Sequence, residues 1–342
     1  MLPISAPDAV SLAIHRTREF LFRPFTWGTF LKLGLVAIVT EGLGTNFQSS
    51  NHGGHPSGHG PAINSPFDLA PEWIAAIVAA VALVIVMSMF VAYLITRLRF
   101  AYFHCLVYNT RLIRPGWRLY RTQAKRFFWL NVIVGLCFLL LVVLIAIPFA
   151  AGFWRLVHQI PPGGHPNIGF LVGLVLPLIP IIFLLVLVGV ITGLILRDFM
   201  FPHFAIENAT AGEAFHQAWT RIMAEKRQFL VYALLRVALP LVAMAAIFVV
   251  LFIPGLILAG SAAAFEYGLH SNYAGSTGAS AIVGILLQVF FGVLAFGFAL
   301  LASICLGGPL STGVREFALI FYGGRYQALG DRLYPSPPMQ AT

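Results

Sequence analysis

The stretch from Arg97 to Arg126 constrains this chain more than any other. It carries eight of the 21 Lys and Arg residues: Arg97, Arg99, Arg111, Arg114, Arg118, Arg121, Lys125 and Arg126. Long apolar runs flank it on both sides. A cationic block of this kind stays on the cytoplasmic side of a bilayer, so the apolar runs beside it must do the crossing. The remainder of the chain agrees. It is 59% hydrophobic and only 10% charged, against about 25% charged in soluble domains. That is more apolar material than one globular core absorbs, and it is spread over all 342 residues.

The expected fold is all-α, a polytopic membrane helix bundle of six transmembrane helices. The spans are read at residues 25–44, 73–95, 127–149, 168–196, 229–259 and 281–306. They make one integral membrane domain over residues 1–334, followed by a disordered Pro-rich tail at 335–342. The first span is the weakest, because Lys32 interrupts it and Glu41 borders it. A run this short and polar also suits a re-entrant or interfacial segment. Pro177 and Pro180 are expected to kink the fourth span.

Loop charges set the orientation. The N-terminal arm holds three cations, residues 97–126 hold eight, residues 197–227 four and the C-terminal tail three. The alternate loops hold none, one (Arg155) and none. Eighteen against one places both termini in the cytoplasm. The net charge of +9 therefore faces membrane lipids, anionic headgroups in particular, rather than nucleic acid.

Amphipathic stretches lie between the spans on the cytoplasmic side. Thr210 and Glu213 form a capping box. After it, Ala211, Ala214, Phe215, Ala218, Trp219, Ile222 and Met223 follow helical spacing without a fault. Phe215, Trp219 and Ile222 mark this as an interfacial helix, docked in lipid or against the spans. A second stretch, around Trp117, Tyr120, Ala124, Phe127 and Phe128, has the same character. The pairs Lys125-Arg126 and Lys226-Arg227 stand 101 residues apart, each before an aromatic-led span, and Arg23 stands 103 residues before Arg126. This spacing fits a threefold parallel repeat of one interfacial helix plus two spans.

Two cations remain inside apolar runs. Lys32 lies nine residues after Arg23, and Arg236 nine after Arg227. Seven residues into a helix rise about 10 Å, well below the headgroups. Three fates are open to them: snorkelling to the interface, an internal ion pair such as Arg236 with Asp198, or binding of an anionic group such as a lipid phosphate. No other binding site stands out. The loop at residues 45–71 holds His52, His55 and His59 without a carboxylate or Cys nearby, so no metal site is read there. Cys105, Cys137 and Cys305 show no paired spacing and are expected as free thiols. Asp198, His203 and Glu207 are close in sequence, but a solvated connector explains them. No GxSxG, HExxH or P-loop occurs. No catalytic residue and no cofactor is expected.

Three segments carry a family resemblance: FLFRPFTWGTFLKLGLVA near the start, LRDFMFPHFAIENATAGEAFHQAW in the middle and REFALIFYGGRYQALGDRLYP near the end. They resemble an uncharacterised bacterial six-span membrane protein family, similar to the membrane domain attached to some glycerophosphodiester phosphodiesterases. The resemblance implies the bacterial inner (cytoplasmic) membrane and the six-span architecture, but no activity, because that domain is not the catalytic one. His15-Arg16 is followed by Thr17, not by the glycine of those enzymes' His-Arg-Gly. The functional expectation is a lipid-associated scaffold, assembly or regulatory protein, with a protein partner or a second copy as further partners. The alternative is a transporter or permease for a small or lipid-like anionic substrate.

Overall fold

The computed structural model describes residues 4–42, 71–159, 168–273 and 279–334, and every regular element among them is helical. In chain order these are α1 (Ala6–Phe22), α2 (Trp27–Ala37), α3 (Pro71–Val107), α4 (Ile113–Leu119), α5 (Arg121–Gln159), α6 (Ile168–Val175), α7 (Leu178–Leu194), α8 (Phe201–Ile206), α9 (Ala211–Ala224), α10 (Lys226–Tyr273), α11 (Ala279–Gly323) and α12 (Gln327–Leu333). Wider π-helical turns extend α2 over Ile38–Gly42 and join α7 to α8 over Ile195–Met200.

Five stretches are long and apolar enough to cross a membrane: Ile74–Val107, Arg121–Trp154, Val172–Ile206, Lys226–Val250 and Ile282–Gly323. They mark a multi-pass membrane protein, and they overlap the second to sixth runs read from the sequence. Each helix continues past its apolar run. The fourth run is broken rather than merely kinked. Leu176 and Pro177 form a turn, and α7 starts after Pro177, whose ring removes a backbone donor at that point. The first run behaves differently. From Trp27 to Gly42 it makes 16 helical residues, about 24 Å long, against a hydrocarbon core of about 30 Å. It is not among the five.

The chain forms two compact units. The first comprises residues 1–69, 102–113 and 227–342, and the second residues 70–101 and 114–226. In the first unit, α1 lies against the end of α11. Ser5 caps α1 by accepting from the Asp8 N–H at 3.3 Å. Arg325 donates to the Ile4 carbonyl at 3.0 Å, tying the start of the chain to the end of α11. α2 crosses α11 where both lack side chains: a Cβ on Gly308 would lie 2.7 Å from the Gly34 Cα. Tyr232 of α10 stacks on Phe321 and Phe317 of α11 at 4.5 and 5.0 Å. Arg111 closes the other end of α1 by donating to the carbonyls of Phe20, Arg23 and Pro24, as cations do at helix C-termini.

The second unit is centred on an aromatic cluster. Phe100 meets Phe201 at 4.3 Å, and Phe127 meets Phe201 and Phe204 at 5.2 and 5.4 Å. The two Phe127 pairs are edge-to-face, an arrangement that adds to simple burial. Trp117 lies on α4, whereas Ala124, Phe127 and Phe128 belong to α5, so only the later part of the stretch expected as an interfacial helix is continuous with the span. The capping box of α9 is formed: Thr210 accepts from the Glu213 N–H, and the Glu213 carboxylate accepts from the Thr210 N–H at 2.9 Å. That backbone donor, helped by the Thr210 side chain, holds the Glu213 carboxyl below its usual range.

The Gly34–Gly308 crossing can be tested. Gly308→Ala forces the α2 and α11 backbones apart and should cost about 1–3 kcal/mol. Gly212→Ala, where a methyl meets nothing within 4 Å, should be neutral or stabilising by up to about 1 kcal/mol. Thermal unfolding of the two detergent-solubilised variants checks the contrast.

Candidate functional site

The first unit buries more charge than its sequence advertises. Arg315 and Glu316 are adjacent on α11, and side chains one residue apart on a helix point about 100° from each other. They therefore address different neighbours. Arg315 turns toward the end of α2, where its Nε lies 3.8 Å from Glu41 Oε1. Arg236 of α10 approaches the other carboxylate oxygen, with Nη2 3.5 Å from Glu41 Oε2. One carboxylate thus stands between two guanidinium groups, with Glu41 6% exposed and Arg315 1%.

Glu316 faces α1. Its Oε2 lies 3.4 Å from Arg16 Nε, and the carboxylate is completely buried. Arg16 spends its other donors on the Leu106 carbonyl at 2.8 Å and the Leu333 carbonyl at 3.4 Å. It thereby satisfies the C-terminal ends of α3 and α12 together. One turn before these charges, the Tyr102 hydroxyl donates to Thr312 Oγ1 at 2.8 Å, and Thr312 donates to the Gly308 carbonyl at 2.8 Å. Residues 308–316 of α11 are therefore a polar seam, addressed in turn by α3, α2, α10 and α1.

The residues singled out in the sequence are distributed as follows. Arg236 enters the seam through Glu41, whereas Lys32 is exposed on α2. Phe215 and Trp219 stack at 5.8 Å on α9 and remain 46% and 43% exposed. The inward face of that helix is carried by Ala214 and Ala218, and Ile222 is half-buried. The His52, His55 and His59 group lies outside the described residues. Among the described residues no cluster of three His, Cys, Asp or Glu side chains is placed to hold a metal.

His203 and Glu207 do meet, in the second unit, at 3.4 Å. The other ring nitrogen of His203 lies 3.3 Å from Arg221 Nη1, and Gln217 donates to Glu207 at 3.3 Å. Arg221 can only donate, so the ring proton sits on Nδ1 toward Glu207. With both nitrogens engaged, His203 fastens α9 to α8. Asp198 is buried beside them in sequence.

The roles of Glu41, Arg16, Arg315 and Glu316 were not visible in the sequence. Arg315 counts there as a tail cation and Glu41 as the border of a span. The available signal was an Arg-Glu pair within a run of aromatics at 315–322, where a solvated pair would be surrounded by polar residues.

Removing one partner of a buried ion pair strands the other. Glu41→Ala should destabilise the protein by about 3–5 kcal/mol. Adding Arg236→Met to that variant should recover part of the loss, since one stranded charge then disappears. Denaturant unfolding in detergent measures both.

The chain matches a family model over residues 4–332, that of a family of unknown function, DUF7544. No curated protein and no solved structure matches it. Nothing in these comparisons links it to glycerophosphodiester phosphodiesterases. The match covers nearly the whole chain and includes every residue of the polar seam, so the chain belongs to the DUF7544 family.

Proposed function

We propose that this protein is a lipid-associated scaffold, assembly or regulatory protein of the bacterial cytoplasmic membrane. It crosses six times and keeps both termini in the cytoplasm. The observation that carries the reading is the division of its surface. In four of the five apolar stretches the most hydrophobic window contains no buried residue, and in the fifth only 6% is buried. Such helices offer nearly their whole circumference to lipid or to another membrane protein. A permease would instead line a path between its spans.

The contact between Arg325 and Ile4 supports the topology. Ile4 and Arg325 then belong to one side of the membrane, which requires an even number of crossings between them. Five helices are long enough, so a sixth crossing is needed, and residues 25–44 are the apolar stretch available for it. The cation asymmetry between alternate loops assigns the shared side to the cytoplasm. On that side α9 lies in the headgroup region, with Phe215, Trp219 and Met223 as its exposed apolar face. Lys32, exposed on α2, supplies a cation for anionic headgroups, while Arg236 works from within the Glu41 pair.

Reporter fusions after Gly60, Ile160 and Asn272 should read as external, and after Thr110, Gly212 and Pro338 as cytoplasmic. A cytoplasmic reading at Gly60 would remove the sixth crossing. A nitroxide on Trp219→Cys in nanodiscs should relax with oxygen rather than with a water-soluble nickel chelate. Full accessibility to the chelate would take α9 out of the lipid.

A further inference from the structure

In the first unit α1, the end of α3 and the end of α12 enclose an open groove of about 560 Å³, within the range of small-ligand sites. α1 contributes His15, Arg16 and Glu19, which share one face of the helix. The chain after α3 contributes Tyr108 and Asn109, and α12 with the residue after it contributes Arg332 and Tyr334.

The charges of this groove separate into spent and available. Arg16 is spent: it pairs with buried Glu316 and donates to two carbonyls. Its guanidinium sits 5.9 Å from the centre of the Tyr334 ring. Among the described residues, Arg332, Asn109 and the Tyr108 hydroxyl make no side-chain hydrogen bond. Glu19 has only the exposed His15 ring, at 3.7 Å. The groove therefore presents one available guanidinium, one available carboxylate, an amide, the Tyr108 phenol and the ring of Tyr334, whose hydroxyl is engaged by Arg16. Burial, the larger cause, holds the Tyr334 phenol above its ordinary value, so it stays neutral. Arg16 already answers the carbonyl ends of α3 and α12.

We propose that this groove binds a zwitterionic phosphoethanolamine group. Arg332 takes the phosphate oxygens, because its fork matches two of them. Glu19 takes the ammonium, with the faces of Tyr108 and Tyr334 beside it, since a cation is attracted to an aromatic face. Asn109 has φ 49°, a conformation Asn tolerates, and its amide is left to donate to the phosphate. A purely anionic ligand would meet Glu19 with only one available cation. A purely cationic ligand would meet Arg332. A group with both charges finds a partner for each, Arg332 and Glu19, in the groove lining. The site is built inside one unit and does not depend on how many times the chain crosses the membrane.

The same chemistry can arrive on a lipid or in solution, and the experiment separates the two. Full-length protein is titrated with soluble phosphoethanolamine in detergent. Separately it is placed in nanodiscs containing phosphatidylethanolamine or phosphatidylglycerol, and retained lipid is measured by native mass spectrometry. Saturable binding of the soluble probe assigns a free ligand. Selective retention of phosphatidylethanolamine without it assigns the lipid. In either arm Arg332→Gln and Glu19→Gln should each weaken binding about tenfold, as expected for one lost charge-assisted contact. Arg18→Gln, an exposed cation of α1 outside the groove, should change nothing. If Arg332→Gln fails to fold, Glu19→Gln on the exposed face of α1 decides alone. Unchanged binding in the folded variants overturns the proposal. So does equal retention of phosphatidylglycerol, or the absence of binding in both arms.

Discussion

A single carboxylate, Glu41, holds together the part of the structure on which the first unit depends. It lies between Arg236 and Arg315, at 3.5 and 3.8 Å, with all three side chains largely withdrawn from solvent. Two guanidinium groups that close would repel each other without an intervening negative charge, and each would have to recover several kcal/mol of lost hydration. Glu41 is at the end of α2, Arg236 on α10 and Arg315 on α11. Three segments far apart in sequence are thereby obliged to meet at one point. The Arg16–Glu316 pair next to it extends the obligation to α1. A hydrophobic seam of the same size would be equally stable. What the ions add is a specific register among helices whose apolar faces would otherwise slide.

This arrangement explains why the long helices do not end where their apolar runs end. A bilayer supplies no partner for backbone polar groups, so the spans must be helical throughout. Beyond the apolar run the helix persists because its next turns are useful. The last turns of α11 carry Phe317, Phe321 and Tyr322, all buried, and the first turns of α10 bring Phe229 and Tyr232 onto them. In the second unit the last residues of α3 and the first of α5 bring Phe100 and Phe127 against α8. Each unit therefore has a dry aromatic and ionic core at one end of its helices and exposed apolar surface along the remainder.

Much of this architecture was legible in the sequence, for reasons that can be traced. An apolar run of 20 or more residues has few alternatives to a membrane helix, and five such helices are present. The capping box at Thr210 and Glu213 is a local signal and forms as read. The periodicity of α9 was also legible, but not which half of its apolar face turns inward. Small Ala214 and Ala218 allow close approach to neighbouring helices, so they take the buried positions and leave Phe215 and Trp219 outside. The pairing of Glu41 with Arg236 and Arg315 was not legible. Those residues are separated by about two hundred positions or more, and no local pattern names the partner of a buried ion. The groove carried by His15, Tyr108 and Arg332 was hidden for the same reason, since these residues are far apart in the sequence.

The central claim is that the start of the chain and the end of α11 form one folded element on one side of the membrane. Ile4 and Gly324 report on it directly: a Cβ on Gly324 would lie 3.2 Å from the Ile4 backbone nitrogen. The measurement is disulfide formation between Ile4→Cys and Gly324→Cys in native membranes, with Cys105, Cys137 and Cys305 replaced. The account predicts rapid, near-complete cross-linking under mild oxidation and none after unfolding. Failure to cross-link in a folded, membrane-inserted protein would contradict it.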